Sequence, residues 1–269
     1  MKILGCFKVV PDLDLIVDED WTVKERLQID TGYAKLVWNC FDESALEMML
    51  RLSDLSESLD VIFELSALTI GKQKHDSFLK ILYALGFTHG IRVCEEEDAL
   101  FQPEHIAEEI SQYVKTRARQ DVIVTGVQSS DGGNSKVPYL LAEKLKWPCL
   151  PYVVGIDPVD EKHLKVTSQV SGGNLIQIVK TPCILAVGNA PYAYLRIPTL
   201  KDKMKLGKKL IEQVKPEELN LQMEKEKARL VVLNPVERSR KTVLIKGSTP
   251  QEKAAYLYEN FLKGRLSEC

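Results

Sequence analysis

The sequence predicts an α/β fold in which helices cover both faces of a parallel sheet, the three-layer arrangement of Rossmann-like and α-hydrolase-like domains. Segments of strand and helix character alternate over about the first 150 residues, and consecutive strands then predict an added antiparallel meander. The polar and basic residues after 210 predict an extended C-terminal arm. With 269 residues, 45% of them hydrophobic, the chain can bury the core that such a domain needs.

Periodicity and breaking residues assign the elements of the first half. Lys2–Val10 is apolar throughout and ends at Pro11-Asp12, which predicts a buried strand. Residues 15–17 and 24–29 predict a short hairpin, and helical spacing predicts a helix at Asp42–Asp54. The elements predicted next are strand Leu59–Leu65, helix 73–85 before Gly86, strand Gly90–Val93, helix Pro103–Arg117, strand Asp121–Thr125 and helix Asn134–Leu145. Such alternation indicates parallel strands with ligands at their carboxyl ends.

The second half follows a different pattern, with turn residues at Asp157-Pro158 and Ser171–Gly173 between strand-like segments. The four predicted meander strands are Tyr152–Ile156, Leu164–Val170, Leu175–Val179 and Cys183–Val187. Beyond a basic segment at Lys201–Lys209, a strand is predicted at Arg229–Leu233 and a helix at Pro250–Lys263. We therefore predict a domain at 1–210 and an arm with a helix at 211–269.

Composition narrows the class of protein. The net charge of −2 gives no electrostatic argument for binding nucleic acid or an anionic membrane. The six cysteines are scattered, with no CxxC motif and no Cys/His spacing suited to a metal site, which is typical of a reducing compartment. No apolar run approaches the ~20 residues of a transmembrane helix. These observations predict a cytoplasmic protein without a transmembrane segment.

The strongest local signal is the loop Gly126–Lys136, between a predicted strand and a predicted helix. Glycines let a backbone approach a ligand closely, and a helix N-terminus attracts phosphate. An ordinary turn built from small residues explains the loop equally well, and it matches neither the Walker A nor the Gly-x-Gly-x-x-Gly pattern. At Asn39–Glu43 a second candidate could reach the same sheet edge, although a helix cap accounts for it more simply.

Residues for acid–base or nucleophilic chemistry are not evident. None of the four histidines has a carboxylate or cysteine at a spacing that suggests catalysis, and surface or turn positions explain them better. A hydrolase that uses Asp131 as its base is disfavoured, because no partner nucleophile is visible. The sequence therefore predicts a carrier or binding protein without catalytic residues of its own.

Short motifs that follow one order from the first residue to about Lys209 are, together, specific. These motifs are Lys8-Val9-Val10, Asn39-x-Phe41-x-Glu43-x-Ala45-x-Glu47, Ala84-Leu85-Gly86 before Gly90-Ile91-x-Val93, Gly126-x-Gln128-x-x-Asp131, Leu164-Lys165-Val166, Gly172-Gly173, Thr181-Pro182 and Arg196-x-Pro198-x-Leu200. In this order they resemble the β subunit of electron-transfer flavoproteins. The chain is identified as a divergent member of that family.

The resemblance implies a heterodimer whose α subunit holds most of an FAD. Electrons would pass from a flavin dehydrogenase through this FAD to a redox acceptor, with Phe41 near the flavin. The β subunit would bind an adenine nucleotide, either AMP or a second FAD, at the carboxyl edge of its sheet. The cofactor-binding residues implied are Cys6, Asn39, Cys40, Phe41, Asp42, Thr69, Gly71, Gly126, Gln128, Asp131, Gly132, Gly133, Asn134, Ser135, Lys136 and Val137.

The resemblance also implies two contact regions. Loop 189–200 would dock onto an acyl-CoA dehydrogenase-like or other flavin redox partner through Leu200, with Arg196 beside it. The arm 211–269 would pack on the α subunit. Family members usually have Asn-Glu-Pro-Arg in this loop, whereas this chain has Asn189–Tyr192, so an unusual redox partner is expected.

The nucleotide loop departs from the family as well. AMP-type members have Asp-Asp-Asp-x-Asn-Gln there, and flavin-bifurcating members have Asp-Gly-Asp-Thr-Ala-Gln-Val-Gly. This chain reads Asp-Gly-Gly-Asn-Ser-Lys-Val-Pro over 131–138, so Gly132 and Val137 favour the bifurcating pattern, while Lys136 and Pro138 match neither. AMP, a second FAD and an empty site stay open at this point. An alternative is a stand-alone nucleotide-binding regulatory module of the universal-stress-protein type, which the glycine pattern and the basic arm disfavour.

Overall fold

The computed structural model describes residues 1–21, 23–24, 28–56, 61–96, 101–221, 231–234 and 242–266. The chain divides into two compact units, Met1–Leu233 and Asn234–Cys269. The first unit contains a large sheet and the candidate site, and the second contains the C-terminal helix.

The first unit is built on a nine-stranded sheet that is parallel through most of its width. The nine strands are β1 (Lys2–Cys6), β6 (Glu64–Gly71), β7 (His89–Cys94), β8 (Val122–Gly126), β9 (Cys149–Pro158), β10 (His163–Val170), β11 (Gly173–Lys180), β12 (Cys183–Val187) and β13 (Glu212–Val214). Their order in the sheet is β11-β10-β9-β12-β8-β1-β6-β7-β13. Two short antiparallel pairs lie apart from it: β2 (Val9–Pro11) with β5 (Leu36–Trp38), and β3 (Val23–Lys24) with β4 (Gln28–Ile29).

Strand alternation gives the sheet two buried faces. In β1, Ile3 belongs to the core on one face and Leu4 to the core on the other, because successive side chains of a strand point in opposite directions. Helices α1 (Cys40–Asp54) and α2 (Asp76–Ala84) cover the first face. Helices α3 (Pro103–Thr116) and α4 (Val137–Leu145) cover the second, and α5 (Leu200–Leu206) packs against α2. The predicted three-layer α/β fold is confirmed.

Helix α1 lies unusually close to the central strand, and a glycine allows this. A Cβ atom added at Gly5 would stand 2.8 Å from Sδ of Met49 and 2.9 Å from a methyl carbon of Leu46. Both of these side chains are buried on the inner face of α1. The close packing places the first turn of α1 beside the carboxyl ends of β1 and β8, where the candidate site lies.

Several elements differ from the sequence predictions, each for a physical reason. The strand predicted at Leu59–Leu65 lies at Glu64–Gly71, since buried Ser66 and Thr69 interrupt its apolar run; residues 57–60 lie outside the described part. The strand predicted at Lys2–Val10 is two strands, β1 and β2, in different sheets. Residues 13–15 form a single 3₁₀ turn rather than leading into a strand.

Two further differences concern the helix after the glycine loop and the meander. Helix α4 begins at Val137 instead of Asn134, because Gly133 and Ser135 have positive φ angles of 56° and 54° that are incompatible with a right-handed helix. The meander has three antiparallel strands, β9 to β11. The fourth predicted strand, β12, instead inserts between β9 and β8 and runs parallel to both.

The first unit extends to Leu233, past the boundary predicted at residue 210. The reason is that β13 pairs in parallel with β7 at the edge of the sheet, and Leu219 after it is buried. Of the strand predicted at Arg229–Leu233, residues 229–230 lie outside the described part, and 231–233 are not in a strand.

The second unit contains a helix that begins where the sequence predicts it. It comprises α6 (Pro250–Leu257), a π-helical turn and α7 (Lys263–Leu266). The Thr249 hydroxyl accepts a hydrogen bond of 3.2 Å from the backbone N–H of Glu252, and the Glu252 carboxylate accepts one of 2.8 Å from the N–H of Ser248, which together cap the helix. No residue of α6 is buried. Within the described residues, none of the helices has the length and apolar character needed to cross a bilayer.

Candidate functional site

A cavity of about 290 Å³ opens at the carboxyl edge of the parallel strands. Its wall includes Cys6 at the end of β1, Gly71 at the end of β6, and Glu95 just after β7. The loop after β8 and the first turn of α4 close another side through Gly126 and Val137. This is the position at which ligands bind in parallel α/β sheets.

Asp42, in the first turn of α1, connects three segments at the rim of this cavity. One carboxylate oxygen, Oδ1, accepts a hydrogen bond of 2.6 Å from the backbone N–H of Gly126. The other, Oδ2, accepts hydrogen bonds of 2.9 Å from the backbone N–H of Lys8 and from the side-chain amide of Asn39. The ends of β1 and β8 are therefore bonded to the start of α1 through a single carboxylate.

Burial and hydrogen bonding shift the pKa of Asp42 in opposite directions. Burial raises the pKa of Asp42 to about 6, although the hydrogen bonds from Lys8, Asn39 and Gly126 favour the charged form. The approach of the two segments also requires a glycine. A Cβ at Gly126 would stand 2.6 Å from Oδ1 of Asp42 and 2.7 Å from Cβ of Phe41. The first glycine of the loop is thus explained by packing against α1.

Asn39 holds the glycine-rich loop from the other side. Its amide nitrogen donates to the backbone oxygen of Gln128 at 2.8 Å, and its amide oxygen accepts from the N–H of Ser130 at 3.1 Å. It makes no side-chain capping bond to α1. The simple helix cap expected at Asn39–Glu43 is therefore wrong for Asn39, whose side chain bridges to the loop instead.

The loop after β8 is internally bonded in a way that fixes its shape. The N–H of Gly133 donates to the backbone oxygen of Ser129 at 2.9 Å, and the hydroxyl of Ser135 donates to Oε1 of Gln128 at 3.1 Å. Asn134 accepts a bond of 3.0 Å from the N–H of Lys136. These bonds and the two positive φ angles hold a compact turn that opens directly into α4.

The cavity wall is rich in lysine. Lys136 precedes α4, and Lys72 and Lys74 lie between β6 and α2. Lys8 also lines the cavity. Its ammonium group lies 2.7 Å from the carboxylate of Asp131, which compensates its positive charge. Lysine charges beside a helix N-terminus produce a positive potential that suits an anionic ligand.

The structure brings most of the predicted cofactor-binding residues together. Those that line the cavity are Cys6, Asn39, Asp42, Gly71, Gly126, Gln128, Asp131, Asn134, Ser135, Lys136 and Val137. Those outside its wall are Cys40, Phe41, Thr69, Gly132 and Gly133. Thr69 is fully buried on the opposite side of β6, because alternation turns Leu68 and Ile70 towards the cavity in its place.

Sequence reasoning missed several wall residues that local patterns do not reveal. Thr31, Gly32 and Leu36 reach the cavity from the segment before α1, and His75 reaches it from the turn after β6. His75 packs against Gly71, where an added Cβ would stand 2.4 Å from the ring, so the missing side chain of the glycine leaves space for it. Burial lowers the pKa of His75 to about 4, so the ring is neutral at physiological pH. Lys8, which lies between β1 and β2, also lines the cavity, and it belongs to a short motif that the sequence shows.

Loop 189–200 is attached to one face of α1, through helix residues that lie three or four positions apart. The N–H of Leu195 donates to Glu43 at 3.1 Å, and the guanidinium of Arg196 pairs with Glu47 at 3.0 Å and with Asp54 at 2.9 Å. The guanidinium of Arg51 stacks over the ring of Tyr192 at 3.5 Å. Burial would raise the pKa of Glu47, but the bonds from Arg196 outweigh it and lower that pKa.

Beyond these attachments the loop presents apolar side chains to solvent. Ile197 is 87% exposed and Leu200, the first residue of α5, is 74% exposed. Arg196, by contrast, is engaged within the chain by Glu47 and Asp54. The loop thus has a fixed base on α1 and an apolar tip.

The fold and site define a class: a Rossmann-like α/β protein with a lysine-lined cavity between a glycine-rich loop and the carboxyl ends of its strands. The chain belongs to the electron transfer flavoprotein family, because the model of the electron transfer flavoprotein domain matches residues 27–219. The family that the sequence motifs indicate is confirmed.

Individual relatives agree with this assignment. A protein of Escherichia coli (strain K12) described as an electron transfer flavoprotein subunit, YgcR, is 27% identical over 269 residues, covering 99% of each chain. The electron transfer flavoprotein subunit beta of Dictyostelium discoideum is 27% identical over 75% of this chain and 79% of its own. The acryloyl-CoA reductase electron transfer subunit gamma of Anaerotignum propionicum is 28% identical over 69% and 66%. The chain is thus a β-type subunit with an electron-transfer role.

Proposed function

We propose that this β-type subunit holds AMP in the cavity at the carboxyl edge of its sheet and works with FAD carried mainly by an α-type subunit. The observation that carries the AMP proposal is the cavity itself. Its volume of about 290 Å³ lies at the small end of the ~300–1,000 Å³ typical of ligand pockets, which favours a mononucleotide over a dinucleotide.

The charges of the wall support a phosphate ligand. Lys136 and the N-terminus of α4 lie on one side of the cavity, and Lys72 and Lys74 lie on another. A doubly charged phosphate gains both from lysine ammonium groups and from the unpaired N–H groups of a helix N-terminus. We assign the phosphate to the Lys136 side and the adenosine to the side of Leu68 and Ile70, which is apolar.

A second FAD in the same site is the second candidate. Gly132 and Val137 match the loop of flavin-bifurcating members, and this observation favours it. The flavin shared with the α subunit would lie at the start of α1 beside Phe41, which is half-buried, and Cys40, which is exposed. Both candidates are consistent with a subunit that contributes an environment for flavin chemistry and no catalytic residue.

We further propose that loop 189–200 docks the redox partner through Leu200. An exposed leucine on a loop with a fixed base suits a transient contact, since little ordering is needed on binding. We expect Arg196 to position the loop rather than to contact the partner, because Glu47 and Asp54 bind its guanidinium. An acyl-CoA dehydrogenase-like enzyme is the proposed class of partner, supported by the relative named as an acryloyl-CoA reductase subunit. The proposed location is the cytoplasm.

Identification of the retained nucleotide tests the site. The chain is purified with its α-type partner and denatured, and the released nucleotides are identified and quantified by mass spectrometry. We expect AMP alongside the flavin; FAD in excess of one per heterodimer would favour the second candidate. Release of no nucleotide besides a single FAD would contradict both.

A matched pair of lysine variants locates the ligand. Lys136→Met removes a charge from the cavity wall at the start of α4 without introducing the glutamine that AMP-type members have there, and Lys146→Met removes one from the end of the same helix, outside the cavity. We expect the first variant to retain at least about tenfold less AMP, because loss of a charged contact costs roughly 1.5–3 kcal/mol, and the second to retain the wild-type amount. Equal retention would contradict the proposed phosphate position.

A further inference from the structure

A second group of polar side chains lies at the wall of the cavity, where β7 ends and α3 begins. Glu95 follows β7 and lines the cavity, while His105 and Glu109 project from the same face of α3, one turn apart. One ligand atom from each of the three lies within 4.8 Å of the others. A surface or turn position was expected for His105, whereas in the structure two carboxylates face its ring.

The distances match those of a metal-binding site. Nε2 of His105 lies 3.2 Å from a carboxylate oxygen of Glu95 and 3.7 Å from one of Glu109. Ligand atoms at ~2.0–2.2 Å from a tetrahedral cation stand roughly 3.3–3.6 Å from one another. The two separations from His105 bracket this range, and the carboxylate oxygens of Glu95 and Glu109 lie within 4.8 Å of each other, close enough to draw together around one cation.

Glu109 supplies the independent observation that points to a ligand. Its side chain is 0% exposed, and in the described part of the chain neither of its carboxylate oxygens receives a hydrogen bond. A buried carboxylate without donors is costly unless a cation or a proton compensates it.

We propose that Glu95, His105 and Glu109 bind a divalent first-row transition-metal cation. Two carboxylates neutralise the charge of the ion, and an imidazole ligand selects transition metals over Mg²⁺ and Ca²⁺. Glu95 and His105 are partly exposed, which leaves access to the ion from solvent. The cation joins the end of β7 to α3 and thereby stiffens one wall of the cavity.

A metal-free alternative makes a different prediction. Burial, the nearby charge of Glu95 and a side-chain hydrogen bond that a protonated Glu109 donates to Glu95 raise the pKa of Glu109, so a proton on Glu109 could compensate the cluster instead. In that arrangement the cluster is complete without a metal ion. Added metal would then bind no more tightly to the wild type than to a chain that lacks His105 or Glu109.

The experiment is a titration of the full-length chain after treatment with EDTA. Mn²⁺ is followed by the loss of its free-ion electron paramagnetic resonance signal, and Zn²⁺ by the rise in thermal midpoint. The variants are His105→Gln and Glu109→Gln, which keep approximate side-chain size. His163→Gln is the control, because the His163 ring lies 2.9 Å from Asp160 in an exposed turn outside the cluster.

We expect the wild type and the His163 variant to bind one Mn²⁺ per chain, and both cluster variants to bind at least about tenfold more weakly. Zn²⁺ should raise the thermal midpoint of the wild type and of the His163 variant, and should leave the midpoints of the two cluster variants unchanged. The thermal midpoints in EDTA show whether each variant is folded, and His105→Gln, at a partly exposed position, remains informative if Glu109→Gln is unstable. Failure of the wild type to bind either ion, or unchanged affinity in a folded cluster variant, would overturn the proposal.

Discussion

Asp42 shows how one buried side chain can fix the shape of a cavity wall. Its two oxygens accept three N–H groups from Lys8, Asn39 and Gly126, at 2.6–2.9 Å. A backbone N–H that is buried without a partner costs about 1–3 kcal/mol, so the carboxylate stabilises the junction of β1, α1 and β8. The position of the glycine-rich loop relative to the cavity depends on this residue.

The first residue-scale prediction concerns Gly126→Ala. The new Cβ would overlap the Asp42 carboxylate and Phe41, so we expect a loss of about 1–3 kcal/mol in the free energy of unfolding together with reduced nucleotide retention. Denaturant unfolding and nucleotide analysis measure the two effects. Gly173→Ala is the matched control, because no atom lies within 4 Å of its added Cβ. Equal stability of the two variants would show that α1 and β8 do not approach as described.

The second residue-scale prediction concerns pH. The folded pKa of Asp42, about 6, exceeds its ordinary value of 3.8. The folded state therefore binds the proton more tightly, and the contribution of Asp42 to stability is fully present below pH 3.8 and is lost as pH rises through 6. The difference of roughly 2 pKa units corresponds to about 3 kcal/mol. Unfolding measured across pH 4–7 in wild type and Asp42→Asn should differ in slope over this interval, and identical slopes would contradict it.

At the scale of elements, α1 serves two structural roles at once. Its first turn faces the cavity through Asp42, while Glu43, Glu47 and Arg51, spaced at four residues along one face, hold loop 189–200. The helix therefore connects the candidate nucleotide site to the proposed docking loop through a single rigid element. With the flavin and the redox partner in their proposed positions, such a connection would keep the distance between them constant.

The first element-scale prediction concerns Glu47→Gln, which removes the charge that engages Arg196. We expect the free energy of unfolding to fall by only about 1 kcal/mol, because Arg196 is partly exposed and keeps its ion pair with Asp54. We also expect faster proteolysis within residues 189–199. The folded pKa of Glu47 is lowered, so its contribution is present above pH 4.5 and is lost on acidification. Limited proteolysis at pH 7 measures the loop. Glu143→Gln, at an exposed site on α4, should cleave like the wild type.

The second element-scale prediction concerns the tip of the loop. Leu200→Ala should lower the rate of electron transfer from the flavin dehydrogenase to the heterodimer by roughly 5- to 30-fold. This is the effect of losing an interface anchor worth about 1–2 kcal/mol. Stopped-flow flavin reduction measures the rate, and the flavin content should not change. Leu210→Ala, equally apolar and exposed but outside the loop, is the control. A rate unaffected by Leu200→Ala would remove this residue from the docking surface.

At the scale of the whole molecule, the two compact units differ in how completely they bury their apolar residues. The first unit has a core on both faces of its sheet. In the second, apolar side chains of the terminal helix, among them Leu257, Phe261 and Leu266, are exposed. A helix of this length is marginal alone in water, and exposed apolar side chains in such a helix suit a partner surface.

The whole-molecule prediction is that residues 234–269 bind the α-type subunit. Co-expression of the full chain with that subunit should give a yellow heterodimer, measured by size-exclusion chromatography and flavin absorbance. Removal of residues 234–269 should abolish the heterodimer but leave the thermal midpoint of the remaining chain within a few degrees, because the core of the first unit lies before them. A stable, colourless monomer from the full chain in the presence of the α subunit would contradict the assignment and would favour a stand-alone nucleotide-binding module.

The alternation of strands and helices, the glycine-rich loop and the family can be read from the sequence, because periodicity, turn residues and ordered motifs are local properties. The contacts between distant residues follow only from the folded arrangement. Asp42 bonds to Gly126 and Arg196 to Glu47 across 84 and 149 residues of chain, and β12 and β13 find their places only through the sheet. No local pattern encodes these pairings, since each depends on how whole elements pack. For the same reason His105 was an ordinary surface histidine in the sequence and became part of a Glu–His–Glu cluster only in the fold.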